Sequence, residues 1–487
     1  MKKILYKKNN LLFFFLIIIF LGFLLRAYNI NYDDLWSDEI VSFWLSDPLI
    51  TFEETLIRIF SSNWMVFYEI SLKYFHYLFG YEVNISRYFS LLISLLSLTF
   101  FGLLISKITK KEAAILGLFI LSINIYHIKY SIELRSYIFA FFLVTLFIHL
   151  VFKNNVPNQK KNIFNLVILN LITVLMLFTH PFTLLVVGSY LVFELTKFYK
   201  KKNIKSYNIK LIISLMITMA LFLMIYSKTT LKIIDQDTLN GISPDWLLQV
   251  KPQFYTNFYF SKYFGSRLLG LIHLSILLYC VIRFRKKLIQ DLNIYTFFVI
   301  LIFFSYFIPL IYGYLFEPIL LDRYIFFVLI PIICLLSHFI LQINSKFLKY
   351  FFIILICVPT FLNHLFYENT GKQFYANINP TKPDTRNALE IINSSDTKIF
   401  TFKKYDLYTF NLNSAYENYL LKYLRLKNYD LEYFSYKEFE KKPNKIWIVY
   451  YKDINKLEFK IPKKFTGYRV IETKSLNNLD LFHLSKL

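Results

Sequence analysis

Between Leu11 and Phe366 the sequence repeats one unit: an apolar run of near-bilayer length, then a short loop carrying charge. A helix needs about twenty apolar residues to cross the hydrocarbon core, and its backbone must pair its hydrogen bonds internally there. The runs are Leu11–Leu25, Tyr88–Ile105, Ala113–Tyr126, Tyr137–Phe152, Ile163–Phe178, Phe182–Phe198, Ile209–Tyr226, Leu268–Ile282, Leu292–Tyr312, Tyr324–Ile340 and Leu348–Phe366. About eleven spans follow, and the fold class expected is a polytopic α-helical membrane protein. The chain is 56% hydrophobic with a mean hydropathy of +0.45, above the roughly 45–50% apolar usage of soluble domains.

The net charge of +23 does not point to nucleic acid, because the positive residues sit in short loops between apolar runs. That placement reads as topology. Lys2, Lys3, Lys7 and Lys8 put the N-terminus in the cytoplasm, before an uncleaved first span. The inner loops then hold Lys107/Lys110/Lys111, Lys153/Lys160/Lys161, Lys197 to Lys210, Arg283/Arg285/Lys286/Lys287 and Lys346/Lys349. Most acids fall on the other side: Asp33 to Glu39, Glu133, Asp235, Asp237, Asp245, Glu317 and Asp322. The expected location is the cell inner (plasma) membrane, with the C-terminal tail extracytoplasmic. Cys280, Cys334 and Cys357 lie within apolar runs and read as packing residues, with no disulfide framework outside.

Two domains are expected. Residues 1–366 form the membrane domain, with a first outer loop over 26–87, and residues 367–487 form a small α/β domain outside. In the tail, Lys398–Lys403, Lys445–Tyr451 and Tyr468–Thr473 read as strands, and Thr385–Ile392 and Tyr416–Leu426 as helices. The first loop concentrates acid: Asp33, Asp34, Asp38 and Glu39 put four carboxylates within seven residues, near the interfacial aromatics Trp36 and Trp44. Ser37 is placed to cap a short helix that Asp47-Pro48 ends, and Phe52–Phe60 is a second amphipathic piece. Trp64–Phe79 is short for a span. Read flat on the outer surface it keeps the Lys107 to Lys111 loop inside, with Glu69 and Lys73 paired on a wet face and Gly80 as its stop.

Given this topology, Asp38, Glu39, Glu69, Arg87, His127 to Arg135, His180 and Asp322-Arg323 gather at one membrane surface. Each has a plain structural reading. Asp38 and Glu39 serve as first-turn acids of a helix, Arg135 as a snorkelling anchor, and His180, before Pro181, as the end of a span. As a set they mix acids and bases on one side, as suits an anionic head group and a polar nucleophile.

The order of motifs is the following. Asp38-Glu39 comes after the first span, Arg87-Tyr88-Phe89-Ser90 opens another, and Tyr130 to Tyr137 (YSIELRSY) opens a third. Thr179-His180 then closes a span, and Asp322-Arg323-Tyr324 opens a late one. This order resembles the GT-C glycosyltransferases of the protein O-mannosyltransferase and aminoarabinose-transferase type, and Pro383-Asp384-Thr385-Arg386 in the tail is similar to bacterial members. The resemblance covers most of Asn29 to Leu341. It implies inverting transfer of a sugar from a polyprenyl-phosphate donor to a lipid, glycan or protein acceptor at the outer face. Asp38 is the implied catalytic carboxylate, with Glu39 beside it. One departure stands out: Asn63 to Tyr68 lacks the His or Lys with Pro-Pro-Leu found there in the family. The donor phosphate is then left to Arg135, Arg323, His180 and Arg87, with Glu69, Tyr130, Glu133 and Tyr137 lining the pocket.

Chemistry agrees with that assignment. A sugar hydroxyl is a poor nucleophile, and a positioned carboxylate taking its proton contributes about 10²–10⁴-fold. The leaving phosphate gains charge that a guanidinium fork or a divalent ion stabilises. The sequence specifies no cofactor; a divalent ion stays open, with Asp38 and Glu39 as candidate ligands, a poor set without further oxygens. A flippase or transporter should show internal repeats and mid-membrane polar groups, and neither is present. A polysaccharide polymerase or ligase should carry a large Arg-rich outer loop, whereas Ser227–Ser266 is modest. Nucleic acid is not an expected partner.

Overall fold

A computed structural model describes residues 2–28, 30–61, 65–153, 163–201, 206–239, 249–366, 382–394, 399–402, 432–433, 444–451 and 467–487. The expected helix at Tyr416–Leu426, and Lys160, Lys161 and Asp245, lie outside the described residues. The chain divides into two compact units. The first comprises Met1–Tyr28, Thr51–Leu72 and Tyr88–Asn377, and the second Asn29–Ile50, Lys73–Arg87 and Ile378–Leu487. Two pieces of the first loop therefore belong with the tail.

In chain order the helices begin with α1 (Lys2–Ala27), α2 (Ser37–Leu45), α3 (Phe52–Ser61), α4 (Val66–Phe79), α5 (Val83–Ile108), α6 (Lys111–Ser122) and α7 (Ile125–Tyr130). They continue with α8 (Tyr137–Lys153), α9 (Ile163–Thr179), α10 (Leu184–Lys201), α11 (Ser206–Leu239), α12 (Pro252–Asn257), α13 (Phe260–Phe264) and α14 (Arg267–Arg283). The last are α15 (Arg285–Asp291), α16 (Ile294–Leu315), α17 (Leu329–Gln342), α18 (Lys346–Phe366) and α19 (Thr385–Asn393).

The described residues of the first unit form helices joined by loops, with no strand. Five segments are long and apolar enough to cross a membrane, Val83–Ile108, Pro181–Lys200, Asn208–Tyr226, Ile294–Leu315 and Lys346–His364, and four shorter apolar helices accompany them. Its core centres on α17, whose residues from Leu329 to Leu336 are all buried and which packs against α6, α14 and α16.

The run Ala113–Tyr126, expected as one span, is two helices. Asn124 breaks it. Its Oδ1 accepts the His127 N–H at 2.9 Å and caps α7, while its Nδ2 donates to the Tyr263 carbonyl at 2.9 Å. An Asn competes with the helix backbone in this way wherever it can serve as a cap. The expected outer loop Ser227–Ser266 also contains helix: α11 runs to Leu239, and α12 and α13 follow. Phe258 and Tyr259, at φ 48° and 62°, turn the chain between α12 and α13 in a conformation that bulky residues seldom adopt.

The second unit carries α2, α19 and a five-stranded sheet. The strands are β1 (Ile399–Phe402), β2 (Glu432–Tyr433), β3 (Lys445–Tyr451), β4 (Tyr468–Leu476) and β5 (Leu479–Lys486), in the order β2-β1-β3-β5-β4. β1 is parallel to β2 and β3, and β5 is antiparallel to β3 and β4. Trp447 lies opposite His483 and stacks on it at 4.3 Å between centroids.

α2 starts one residue from the expected cap. Trp36 occupies the cap position, and its N–H donates to the Glu39 carboxylate at 2.8 Å. An acid at the third helical position satisfies the exposed amide as well as a Ser before the helix does. α4 ends at Gly80, φ +109°, as its sequence demands. Glu69 and Lys73, expected on a wet face, are 1% and 8% exposed. The Lys73 ammonium donates to the carbonyls of Asp47 and Ile50 at 2.5 and 2.7 Å, which hold it against the turn after α2.

Candidate functional site

The second unit holds the acid loop, in which Asp33, Asp34 and Glu39 each bind a backbone amide. Asp33 Oδ1 accepts the Lys382 N–H at 3.0 Å, and Asp34 Oδ1 accepts the Leu35 N–H at 2.8 Å. Glu39, 1% exposed, pairs with the Lys382 ammonium at 2.5 Å besides accepting from Trp36. Asp38 sits half-buried in the first turn of α2. The loop is therefore braced around Asp38.

Arg87 supplies more of that bracing. It is 1% exposed, and its guanidinium donates to the carbonyls of Ile30 at 2.9 Å and Asp34 at 2.8 Å. Two of its N–H groups therefore clamp the loop. His76, also in this unit, is buried between the Ser46 carbonyl (3.1 Å) and the Ser86 hydroxyl (2.7 Å). Burial lowers its pKa to about 4, opposed by the Ser46 carbonyl.

The first unit gathers the cations. The guanidinium carbons of Arg135 and Arg323 lie 5.6 and 5.9 Å from the centroid of the same ring, Tyr137. His180 packs against that ring at 5.6 Å and against Tyr324 at 5.3 Å. Both arginines thus approach one aromatic ring, and a guanidinium fork is suited to binding phosphate oxygens. His180 contributes no charge: burial, then Arg135 and Arg323, lower its pKa to about 3. It remains a neutral hydrogen-bonding group at pH 7.

Tyr130 and Tyr137 form an aromatic chain, at 5.2 Å, that continues to Tyr126 at 4.7 Å. Tyr126 donates to Asp322 at 2.6 Å, on the floor of a cleft of about 450 Å³ rimmed by Lys129, Lys262 and Arg267. Lys262 lies 3.8 Å from Asp322, and the Tyr263 hydroxyl donates to the Asp322 carbonyl at 3.0 Å. Glu133 is half-buried; its carboxylate lies 3.8 Å from Lys129 and its carbonyl accepts from Ser90 at 2.7 Å. His127 is buried between Arg26 (2.8 Å) and Ser97 (2.9 Å), and burial followed by Arg26 holds its pKa well below the usual range. Glu69 is buried in the first unit, on α4 next to Tyr68, whose ring packs on Phe89 and Phe139.

So Arg135, Arg323, His180, Tyr137 and Tyr130 come together in one unit, while Asp38, Glu39 and Arg87 belong to the other. Lys262 and Arg267 were not singled out from the sequence; two cations flanking Gly265-Ser266 at the start of an apolar run were the available signal. Among the described residues no three His, Cys, Asp or Glu side chains converge as metal ligands. Glu39, with its carboxylate on Lys382 and Trp36, makes a poor ligand for a divalent ion.

No protein-family model matches the sequence, and no curated protein matches it. Solved structures do match. ArnT from Cupriavidus metallidurans in the apo state aligns over 98% of this chain and 98% of its own, with a TM-score of 0.53 at 10% identity. The chain shares the fold of ArnT. The Archaeoglobus fulgidus oligosaccharyltransferase in the apo form aligns over 88% of this chain and 62% of its own, at 13% identity and a TM-score of 0.48. At 10% identity the likeness to ArnT extends to the path of the backbone. The chemistry rests on the side chains above.

Proposed function

We propose that this chain is a multi-pass membrane glycosyltransferase of the GT-C type that moves a sugar from a polyprenyl-phosphate donor to an acceptor at the extracytoplasmic face. The convergence of Arg135 and Arg323 on Tyr137 carries the reading. Two planar guanidinium forks over an aromatic floor suit a phosphate that gains charge as the sugar leaves. Lys129, Lys262 and Arg267 around the neighbouring cleft add positive potential, and neutral His180 offers a hydrogen bond without competing for the proton.

Asp38 is the proposed base. The Glu39–Lys382 pair and the Arg87 clamp fix the loop around it, and Asp38 takes the acceptor's proton as the new glycosidic bond forms. The bond from the anomeric carbon to the phosphate oxygen breaks on the opposite face, which inverts the anomeric centre and leaves polyprenyl phosphate. Glu39 acts on this step by positioning. The N-terminus is cytoplasmic in this reading, and the C-terminal sheet extracytoplasmic.

The test supplies membranes containing the protein with radiolabelled polyprenyl-phosphate sugars and follows both label transfer and release of polyprenyl phosphate. Transfer that depends on the protein and falls on replacing Arg323 by Ala supports the reading. Absence of transfer and of donor cleavage with every sugar tried would overturn it. A further comparison uses the envelope lipids, glycans and proteins of a strain lacking the protein, where one missing hexose-sized or amino-sugar-sized group identifies the product.

A further inference from the structure

The strap Lys382-Pro383-Asp384 is held on both sides within the second unit. Its Lys382 N–H and ammonium bind Asp33 and Glu39 of the acid loop, and its Lys382 carbonyl accepts from Asn477 Nδ2 at 2.8 Å. The Asp384 N–H donates to the Asn477 carbonyl at 3.1 Å, and the Asp384 side chain caps α19. This bracing creates a cleft of about 250 Å³ between segments some 350 residues apart in sequence, lined by Asn31, Tyr32 and Asp34 on one side and Lys382, Asn387 and Glu390 on the other.

We infer that this cleft is an acceptor subsite that receives one hydroxyl-rich sugar unit of a glycan. The inference rests on the transferase reading and names the acceptor class for it. Its lining supplies two amides, carboxylates, an ammonium and one aromatic ring, the groups that hydrogen-bond vicinal hydroxyls and cover the C–H face of a pyranose. Its volume lies below the roughly 300–1,000 Å³ of drug-sized sites, which fits a single ring. Asn387 and Glu390, three apart on α19, present their polar ends from one helix face. Carboxylates outnumber cations among the described lining residues, which disfavours a phosphorylated or carboxylated unit. Asp34, Asp384 and Glu390 do not converge as a metal-ligand set, which separates this cleft from a cation site.

The cleft also adjoins the residues that brace the base. Lys382 lines it and pairs with Glu39, the neighbour of Asp38. A sugar seated there meets Lys382, the partner of Glu39. This gives Lys382, Asn387 and Glu390 of the tail a task in the reaction, although the tail's sequence contains no catalytic motif.

The experiment uses the full chain in lipid nanodiscs with methyl α-glucopyranoside as probe and glucose 6-phosphate as the charged control, read by saturation-transfer NMR. The Asn387→Ala/Glu390→Ala variant changes two exposed side chains outside the proposed catalytic set. Expected are ring-proton signals for the methyl glycoside, little for the phosphate, and binding weakened about tenfold in the variant, the scale of two lost polar contacts. In the transfer assay the variant should raise the acceptor KM by a similar factor and leave donor hydrolysis by water unchanged. Absence of glycoside signal, equal signal in the variant, or preference for the phosphate overturns the subsite. Glycoside binding in a chain that cleaves no polyprenyl-phosphate sugar would leave the subsite standing and remove the transferase reading.

Discussion

Glu39 and Lys382, 343 residues apart in sequence, form an ion pair whose side chains are 2% and 15% exposed. A charge left unpaired at such depth is costly: removing one partner of a buried pair typically costs about 3–5 kcal/mol, whereas replacing both by apolar groups can be nearly neutral. Lys382→Met and Glu39→Leu should each lower the thermal midpoint in detergent and expose the tail to protease. The double variant should recover most of that loss. Equal losses in the single and double variants would show that the pair contributes nothing particular.

Arg87 should behave as a clamp. Arg87→Ala frees the carbonyls of Ile30 and Asp34, so kcat should fall because the loop that carries Asp38 loosens. Donor affinity should stay within about twofold, a change worth under half a kcal/mol. A donor Kd raised tenfold with kcat preserved would return Arg87 to the phosphate site.

Arg323 and Arg135 should give the opposite split. Charge-assisted hydrogen bonds contribute about 1.5–3 kcal/mol, so each Ala variant should lose roughly ten- to a hundredfold in kcat/KM for the donor. Lys at either position should rescue little, because an ammonium lacks the fork. Full rescue by Arg323→Lys would reduce the site to a point charge.

Acid should destabilise the protein through its buried histidines. The pKa of His76 is lowered to about 4 and that of His180 to about 3, in both cases first by burial. The unfolded state takes up protons near the ordinary value of about 6.5 while the folded state does not, so stability falls as pH drops from 6.5 toward 4 and 3. The slope is about 1.4 kcal/mol per pH unit for each histidine. Denaturation followed at pH 7 and pH 5 should show the loss, and His76→Gln, which cannot charge, should reduce it by the share of one histidine. A pH-independent midpoint in the wild type contradicts this account.

What the sequence could reveal depended on the range of the interaction. Apolar runs and loop charge are local signals, so most helices lie where composition puts them, and β3 spans Lys445–Tyr451 as expected. β5 was missed although its signal was local too. Leu479, Leu481 and Leu484 are buried, and Asn477-Asn478, with Asn478 at φ 55°, is the kind of pair that turns a hairpin. Asn124 was passed over because one polar residue barely dents an apolar run, and only the partner carbonyl of Tyr263 makes it a break. The sequence marks Arg135 and Arg323 only as cations at the ends of apolar runs, and their approach to Tyr137 brings together segments nearly 190 residues apart. Glu39 is adjacent to Asp38 in the sequence and indistinguishable from it by type. Lys382 separates the two, and nothing local announces Lys382.

The most direct measurement is turnover of a polyprenyl-phosphate sugar by Asp38→Asn in reconstituted membranes, beside the wild type and with the thermal midpoint checked. The account predicts a loss of at least about 10²-fold in transfer, the lower bound for removing a general base, with the protein still inserted and its midpoint unchanged. Wild-type turnover in Asp38→Asn would remove this residue from the mechanism.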